Sequence, residues 1–288
     1  MAQTTEYELL KKKKKTYEII KKIAIYVFLS VIGITMLVPF LWTLSTSLKE
    51  AGSVFSYPPK WIPKPFVFRN YIDAWNAVPF GRFFINSIIV STTVTFGQLF
   101  TASLAAFAFA RLEFPFRNKL FLAYLATMMI PGQVTMIPVF IVLKKLQWID
   151  TYKALILPGI FTAYGTFMLR QFFLNIPKDL DESAIIDGCS YFGIYWRIIL
   201  PLSKPALATL GTFVFLGTWN DFMWPLIVTN SMEMKTLPVG LASFQGMYST
   251  EWTLLMAASV IVLAPVLIVY IFNQRFFVRG IVMTGIKG

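Results

Sequence analysis

The chain has 288 residues, of which 57% are hydrophobic and only 14% charged, with a mean hydropathy of +0.65. Soluble domains carry roughly 25% charged residues, so this composition excludes an ordinary globular enzyme and points to a polytopic membrane protein. The formal charge of +12 does not signal a nucleic-acid partner: five of the 26 basic residues form one run, Lys11 to Lys15, and most of the others flank apolar stretches.

Residues 1–22 form a basic N-terminal segment whose lysine run reads as an orientation signal attracted to anionic lipid. The apolar stretch that follows, from Ile23 to Leu48, is too long for a signal-peptide core and lacks an A-x-A cleavage site. It is expected to be the first of six spans, each near the roughly 20 residues that a bilayer requires. That span covers Ile23 to Ser47, and the second lies between Arg82 and Arg111. The third lies between Lys119 and Lys144; the fourth runs from Ala154 to Leu174 with Arg170 snorkelling. The fifth runs from Ala206 to Ile227 and the sixth from Trp252 to Asn273. The expected fold is therefore an all-α integral membrane protein: a six-span transmembrane body over 23–273 and a tail over 274–288.

The polar stretch over 175–205 interrupts this pattern. It contains KDLDESAIIDGCSYFGIYWRIILPLSKP, and irregular backbone of this kind is not tolerated facing lipid, so it lies outside the bilayer. Asp179, Asp181 and Glu182 suit a helix N-terminus. Gly188 offers the left-handed position that ends a helix, and a second short helix is expected from about Ser190. An amphipathic helix lying on lipid headgroups is the plainer reading, but it leaves Asp187-Gly188 and Leu200-Pro201 without a purpose. If the N-terminus is cytoplasmic, 17 of the 26 Lys and Arg fall on that side and 9 on the other, which puts both termini and this loop inside. The outer side then carries a stiff, Pro-rich segment with Tyr57-Pro58-Pro59, Trp61-Ile62-Pro63 and Lys64-Pro65.

This loop resembles the cytoplasmic coupling loop of permeases from importers of the ABC class, whose motif runs E-A-A, two residues, D-G, then about nine residues to I-x-L-P. The matching residues are Glu182, Ser183, Ala184, Asp187, Gly188, Ile198, Leu200 and Pro201. Ser183 and Cys189 depart from the usual alanines, and both remain small. Three further stretches are similar to the carbohydrate-uptake, maltose-type branch: Arg82-Phe83-Phe84-Ile85-Asn86-Ser87, Gly217-Thr218-Trp219-Asn220-Asp221-Phe222, and the tail from Gln274 to Gly280 ending in Ile286-Lys287-Gly288. Arg279 departs from that branch, where acids are frequent.

The resemblance implies a smaller, six-span subunit paired with a second permease and two copies of a cytoplasmic ATPase, in a prokaryotic cell membrane, with sugar delivered by an extracytoplasmic binding protein. It implies that Met234 to Thr250 reaches toward the binding protein, with Leu237, Pro238, Gly240 and Gln245 as candidate contacts. It also implies that Gly280 to Gly288 contacts the ATPase, through Gly285, Lys287 and Gly288.

The residues themselves agree with a subunit that does no bond chemistry. No Gly is followed by Lys, so a Walker A loop is impossible, and ATP and Mg would be bound by the partner ATPase. Histidine, the commonest metal ligand and general base, is absent, and a single cysteine, Cys189, excludes an internal disulfide. No cofactor is expected.

For the translocation path the candidates are Asn86, Ser91 and Gln98 in the second span and Trp219, Asn220 and Asp221 in the fifth. An acid in a span usually faces the bundle interior, and Asp221 between Trp219 and Trp224 could meet a sugar. It could equally make a structural hydrogen bond near the outer interface, with the tryptophans as belt anchors. The span-two polar residues have the same two readings, path or helix packing. A stand-alone secondary transporter would need inverted repeats or a chain of ionisable groups, and neither is visible. Glycerol-3-phosphate importers share these motifs and remain the alternative within the class.

Overall fold

In the computed structural model the backbone is described for residues 2–245 and 250–283, and the side chains among these for 14–245 and 250–274. Among the described residues there is no strand, only an isolated bridge between Gln245 and Thr250. Helix α1 (Ala2–Ser47) is continuous through Pro39. After the Pro-rich segment come α2 (Arg69–Ala77) and the long α3 (Phe80–Arg111). Next are α4 (Arg117–Ala126) and α5 (Gly132–Lys145), then α6 (Tyr152–Ile156) and α7 (Ala163–Leu174). The polar loop holds α8 (Asp179–Ile186), α9 (Tyr191–Ile194), a π-turn at Tyr195–Ile199 and α10 (Leu200–Leu202). The chain ends with α11 (Lys204–Trp219), α12 (Met223–Val228), α13 (Leu237–Leu241) and α14 (Trp252–Met283).

The six apolar stretches expected from hydropathy take two forms, single helices and helices broken within the stretch. Three stretches are long and apolar enough to cross a bilayer as single helices: Lys14–Ser47, Phe80–Arg111 and Trp252–Gln274. The expected third span is a pair, Arg117–Met129 and Gly132–Lys145, meeting at 95°. Pro131 explains the bend, because it drives the preceding Ile130 into extended backbone (φ −86°, ψ 115°). The expected fourth span is interrupted between the turn at Leu157–Gly159 and α7. The expected fifth stops at Trp219 and resumes at Met223. At the other end of α11, Tyr191–Leu202 turns into Lys204–Trp219 at 78°, where Pro205 opens the helix.

At two of these interruptions side chains supply the partners that lipid cannot give to the freed backbone groups. Gln98 donates its Nε2 to Gly159 O at 2.5 Å, and the Thr101 hydroxyl donates to Ile160 O at 2.8 Å. Thus α3 closes the gap before α7. At the second gap Asn220 donates to Leu216 O at 2.8 Å, and Asp221 Oδ1 accepts the Trp224 N–H at 3.2 Å. Trp224 in turn donates its indole N–H to Ala154 O at 3.0 Å. Arg170 does not snorkel: its guanidinium donates to Phe109 O at 3.2 Å and stacks 4.2 Å from the centroid of Phe121.

Helix α3 runs through all three buried clusters. One joins its second half to α7, the polar loop and the start of α11; one joins its first turns to α2, α13, α14 and the end of α11; the third joins its middle to α5, α6 and α12. Among the long helices, helix α1 packs chiefly on α14, and none of its most apolar window is buried. On the far side from the polar loop, Asp150 Oδ1 accepts the N–H groups of Asn230 and Ser231 at 2.8 and 3.0 Å. Burial opposes ionisation of that carboxyl, but the Ser231 hydroxyl and these two backbone N–H groups outweigh it and hold Asp150 below the ordinary carboxylate range.

Asn86 is fully buried, donating to Glu233 O and Lys235 O at 2.7 and 2.8 Å and accepting from the Tyr152 hydroxyl at 2.6 Å. Asn86→Ala orphans all three partners and is expected to destabilise the folded protein by about 2–4 kcal/mol, read as a lower unfolding midpoint in detergent; an unchanged midpoint would contradict this. Asp221→Asn keeps an acceptor for Trp224 N–H, whereas Asp221→Ala removes a cap worth about 1 kcal/mol. The expected outcome is a lower unfolding midpoint in detergent for the alanine variant only. An equal loss of stability in Asp221→Asn would contradict the capping role.

Candidate functional site

The loop between α7 and α11 is built as a rigid knob. Asp179, Asp181 and Glu182 occupy the first turn of α8, where carboxylates oppose the positive end of the helix dipole. The helix ends in a Schellman motif. Gly188 N–H donates to Ile185 O at 2.9 Å, and Cys189 N–H donates to Ala184 O at 2.8 Å. This closure needs φ = +78° at Gly188, a conformation that side chains disfavour. A Cβ there would meet no atom within 4 Å, so the demand for glycine is purely conformational. Ser190 then caps α9 by accepting the Gly193 N–H at 3.2 Å.

One face of the knob is fastened to the spanning helices. Ala184, Ile194, Tyr195 and Ile199 are buried against Ala102, Ala106, Phe107 and Ala110 of α3 and Leu169 and Phe173 of α7. The Tyr195 hydroxyl is 2.8 Å from Ser103 Oγ, and its ring lies 5.4 Å from that of Phe107. Arg111, at the end of α3, pairs with Asp181 at 3.3 Å and donates to Ile176 O at 2.7 Å, with only 3% of its side chain exposed. Burial pushes the Asp181 carboxyl above its ordinary range, although Arg111 and Lys178 pull it the other way.

The opposite face is open. Ile186 is 86% exposed, and Tyr191, Phe192 and Trp196 are exposed beside it. Of the motif residues, Glu182, Ser183, Asp187, Gly188 and Pro201 are exposed, Ile198 and Leu200 are half-buried, and Ala184 points inward. An apolar patch rimmed by acids, on a knob held at its base, is a surface suited to seating in another protein.

The other sequence-derived candidates fall into two groups. Asn86 and Ser91 are buried within α3 contacts, and Trp219 is fully buried with its indole N–H on Val262 O at 3.2 Å. Gln98 caps the α6–α7 gap, and Asn220 and Asp221 cap the α11–α12 gap. Gln98 nevertheless also lines a hollow of about 300 Å³ with Tyr164, Phe213, Gly217 and Thr218. That hollow brings together α3, α7 and α11, but not Asn220 or Asp221.

Leu237 and Gly240 are buried: Leu237 N–H donates to Ser87 Oγ at 2.8 Å, and a Cβ on Gly240 would run into the Phe83 ring. Pro238 is half-buried and Gln245 exposed. Thus α13 packs on α3, and only its far end offers surface. The tail candidates Gly285, Lys287 and Gly288 lie outside the described residues.

Sequence reasoning missed Arg111, Tyr195 and Ser103, which fasten the knob, and Tyr164 and Phe213 in the hollow. Arg111 served only as a span boundary, and the others sit in ordinary apolar helix pattern with no local signal. Among the described residues no group of His, Cys, Asp and Glu could hold a metal ion.

Comparison with known proteins accords with this architecture. Residues 98–282 match the family model described as binding-protein-dependent transport system inner membrane component. The chain is 36% identical over 270 residues to the arabinooligosaccharides transport system permease protein AraQ of Bacillus subtilis (strain 168), covering 93% of this chain and 96% of that protein. It is 34% identical over 261 residues to the sn-glycerol-3-phosphate transport system permease protein UgpE of Yersinia pestis bv. Antiqua, covering 88% and 93% respectively. Its fold matches, with a TM-score of 0.80 at 23% identity over 90% of this chain and 96% of the other, a chain from the crystal structure of a bacterial ABC transporter involved in the import of the acidic polysaccharide alginate. The chain belongs to the family of binding-protein-dependent transport system inner membrane components.

Proposed function

We propose that this chain is a non-catalytic permease subunit of an ATP-driven importer that takes up a sugar or oligosaccharide handed over by an extracytoplasmic binding protein. The observation that carries the reading is the knob: an exposed apolar face around Ile186, closed at Gly188 with φ = +78° and fastened to α3 through Arg111–Asp181 and Tyr195–Ser103. The family supports it, as does the 36% identity to an arabinooligosaccharide permease. A cytoplasmic ATPase, present in two copies and holding ATP and Mg, seats the knob. A second, homologous permease completes the pathway. Movement of the ATPase displaces the knob, and because its base is continuous with α3 and α7, the displacement reaches the spanning helices. UgpE, at 34% identity, keeps glycerol 3-phosphate as a second reading of the cargo.

In this reading there are six spans with both termini in the cytoplasm: α1, α3 and α14 cross alone, α4–α5 and α11–α12 cross as broken spans, and α6–α7 is the remaining one. The Lys and Arg asymmetry, 17 of 26 on the knob's side, supports that orientation. Lys60→Cys and Ser183→Cys, each made in a Cys189→Ser background, test it with a membrane-impermeant thiol reagent. Labelling of Lys60→Cys in intact cells is expected, and of Ser183→Cys only after permeabilisation; the reverse pattern would sink both the topology and the coupling role.

Gly188→Val forces a β-branched residue into left-handed backbone at about 1–3 kcal/mol, at a site where an added Cβ meets no atom within 4 Å. The variant is expected to insert normally yet lose most ATPase co-purification and uptake. Gly188→Asn should be milder, because Asn tolerates this conformation. Normal ATPase binding and uptake in Gly188→Val would overturn the coupling assignment.

A further inference from the structure

We infer that the hollow between α3, α7 and α11 is a subsite for a neutral sugar ring, so that this subunit itself contacts the cargo and selects against charged solutes. The inference rests on the carbohydrate-import reading and narrows it. The hollow, at about 300 Å³, is at the small end of the roughly 300–1,000 Å³ typical of ligand pockets. Its lining combines two aromatic side chains with three kinds of polar group. Tyr164 is 47% exposed and Phe213 49% exposed, so both offer surface to the apolar C–H side of a sugar ring.

The polar groups are uncommitted where their neighbours are not. In α11, Thr209 and Thr212 return their hydroxyls to Pro205 O and Ala208 O at 2.9 and 2.8 Å. Thr218, in the same helix, makes no such bond and opens on the hollow. The Tyr164 hydroxyl likewise has no partner among the described residues, and Gln98 uses its Nε2 on Gly159 O while leaving Oε1 available. Hydroxyl and amide groups left unpaired toward hydrocarbon are unfavourable, so this face suits a water-filled path rather than lipid.

Charge defines the class. No Lys, Arg, Asp or Glu lines the hollow. Phosphate and carboxylate are bound by guanidinium, ammonium or clustered backbone N–H groups, whereas a neutral polyol needs alternating donors and acceptors beside an apolar face. Gly217 sits at the rim, where an added Cβ would meet nothing within 4 Å. A larger side chain there can fill the hollow without disturbing the helices.

The test uses the complete transporter in proteoliposomes, with its companion permease, ATPase and binding protein. The probes are radiolabelled oligosaccharides from arabinan, starch and xylan digests, and radiolabelled glycerol 3-phosphate. Wild type is expected to take up at least one oligosaccharide. Gly217→Leu should lower that uptake about tenfold or more, while assembly and binding-protein-stimulated ATP hydrolysis stay near wild type; Gly217→Ala should be near normal. Thr218→Val should raise the KM for uptake about tenfold, and Thr218→Ser should restore it. Near-wild-type oligosaccharide uptake in both Gly217→Leu and Thr218→Val would overturn the subsite and leave the importer reading standing. Glycerol 3-phosphate as the only cargo would overturn the neutral class. ATP-dependent uptake of none of the probes would overturn the inference together with the carbohydrate reading on which it rests.

Discussion

Hydrocarbon cannot hydrogen-bond to a peptide group, and the architecture of this chain depends on how that constraint is met where helices break. An unsatisfied N–H or C=O in lipid costs several kcal/mol, so each interruption must bring its own partners. The gap before α7 is closed by Gln98 and Thr101 of α3, and the gap after α11 by Asn220, Asp221 and Trp224. Polar residues that look functional by their rarity in apolar helix are thus mostly committed to backbone repair. Thr218 and Tyr164 open on the hollow instead, without a side-chain partner among the described residues.

Helix α3 is where these demands converge. Its first turns hold the loop between α12 and α13 through Asn86 and Ser87, its middle caps the α6–α7 gap, and its last turns fasten the knob through Ser103, Phe107 and Arg111. Close-packed interiors transmit displacement rather than absorb it. In the proposed role, a push on Ile186 and its neighbours therefore reaches the hollow at Gln98 along a single continuous helix. The Arg111–Asp181 pair is well suited to such a joint, because a nearly buried ion pair tolerates little change in geometry before one charge is left unpaired.

Much of the remaining surface is unsatisfied by the chain alone. Helix α1 is bare along its apolar window, and the knob presents Ile186, Tyr191, Phe192 and Trp196 outward. Lipid suits the first. The second is rimmed by Glu182 and Asp187 and stands at the end of a polar loop, which suits a protein partner.

The sequence alone determined the membrane class, the apolar segments and the knob. Composition and run length are one-dimensional properties, and Gly188 between two short helical runs encodes its left-handed turn locally. The same local logic covers Pro131 and Pro205, whose ring geometry bends the chain wherever it lies. Only the tertiary structure decided which polar residues cap broken helices, which line the hollow and which fasten the knob. Asn86 and Gln98 look alike in the sequence, as do Thr212 and Thr218. What separates them is the neighbour each meets across 60 or more residues of chain, or its lack of one: Glu233 and Lys235 carbonyls for Asn86, Gly159 for Gln98, and open space for Thr218. Hydrogen-bond partners chosen by packing have no signature in a local window, so hydropathy shows where the apolar stretches lie but not where Gln98, Asn220 or Asp221 caps a break within them.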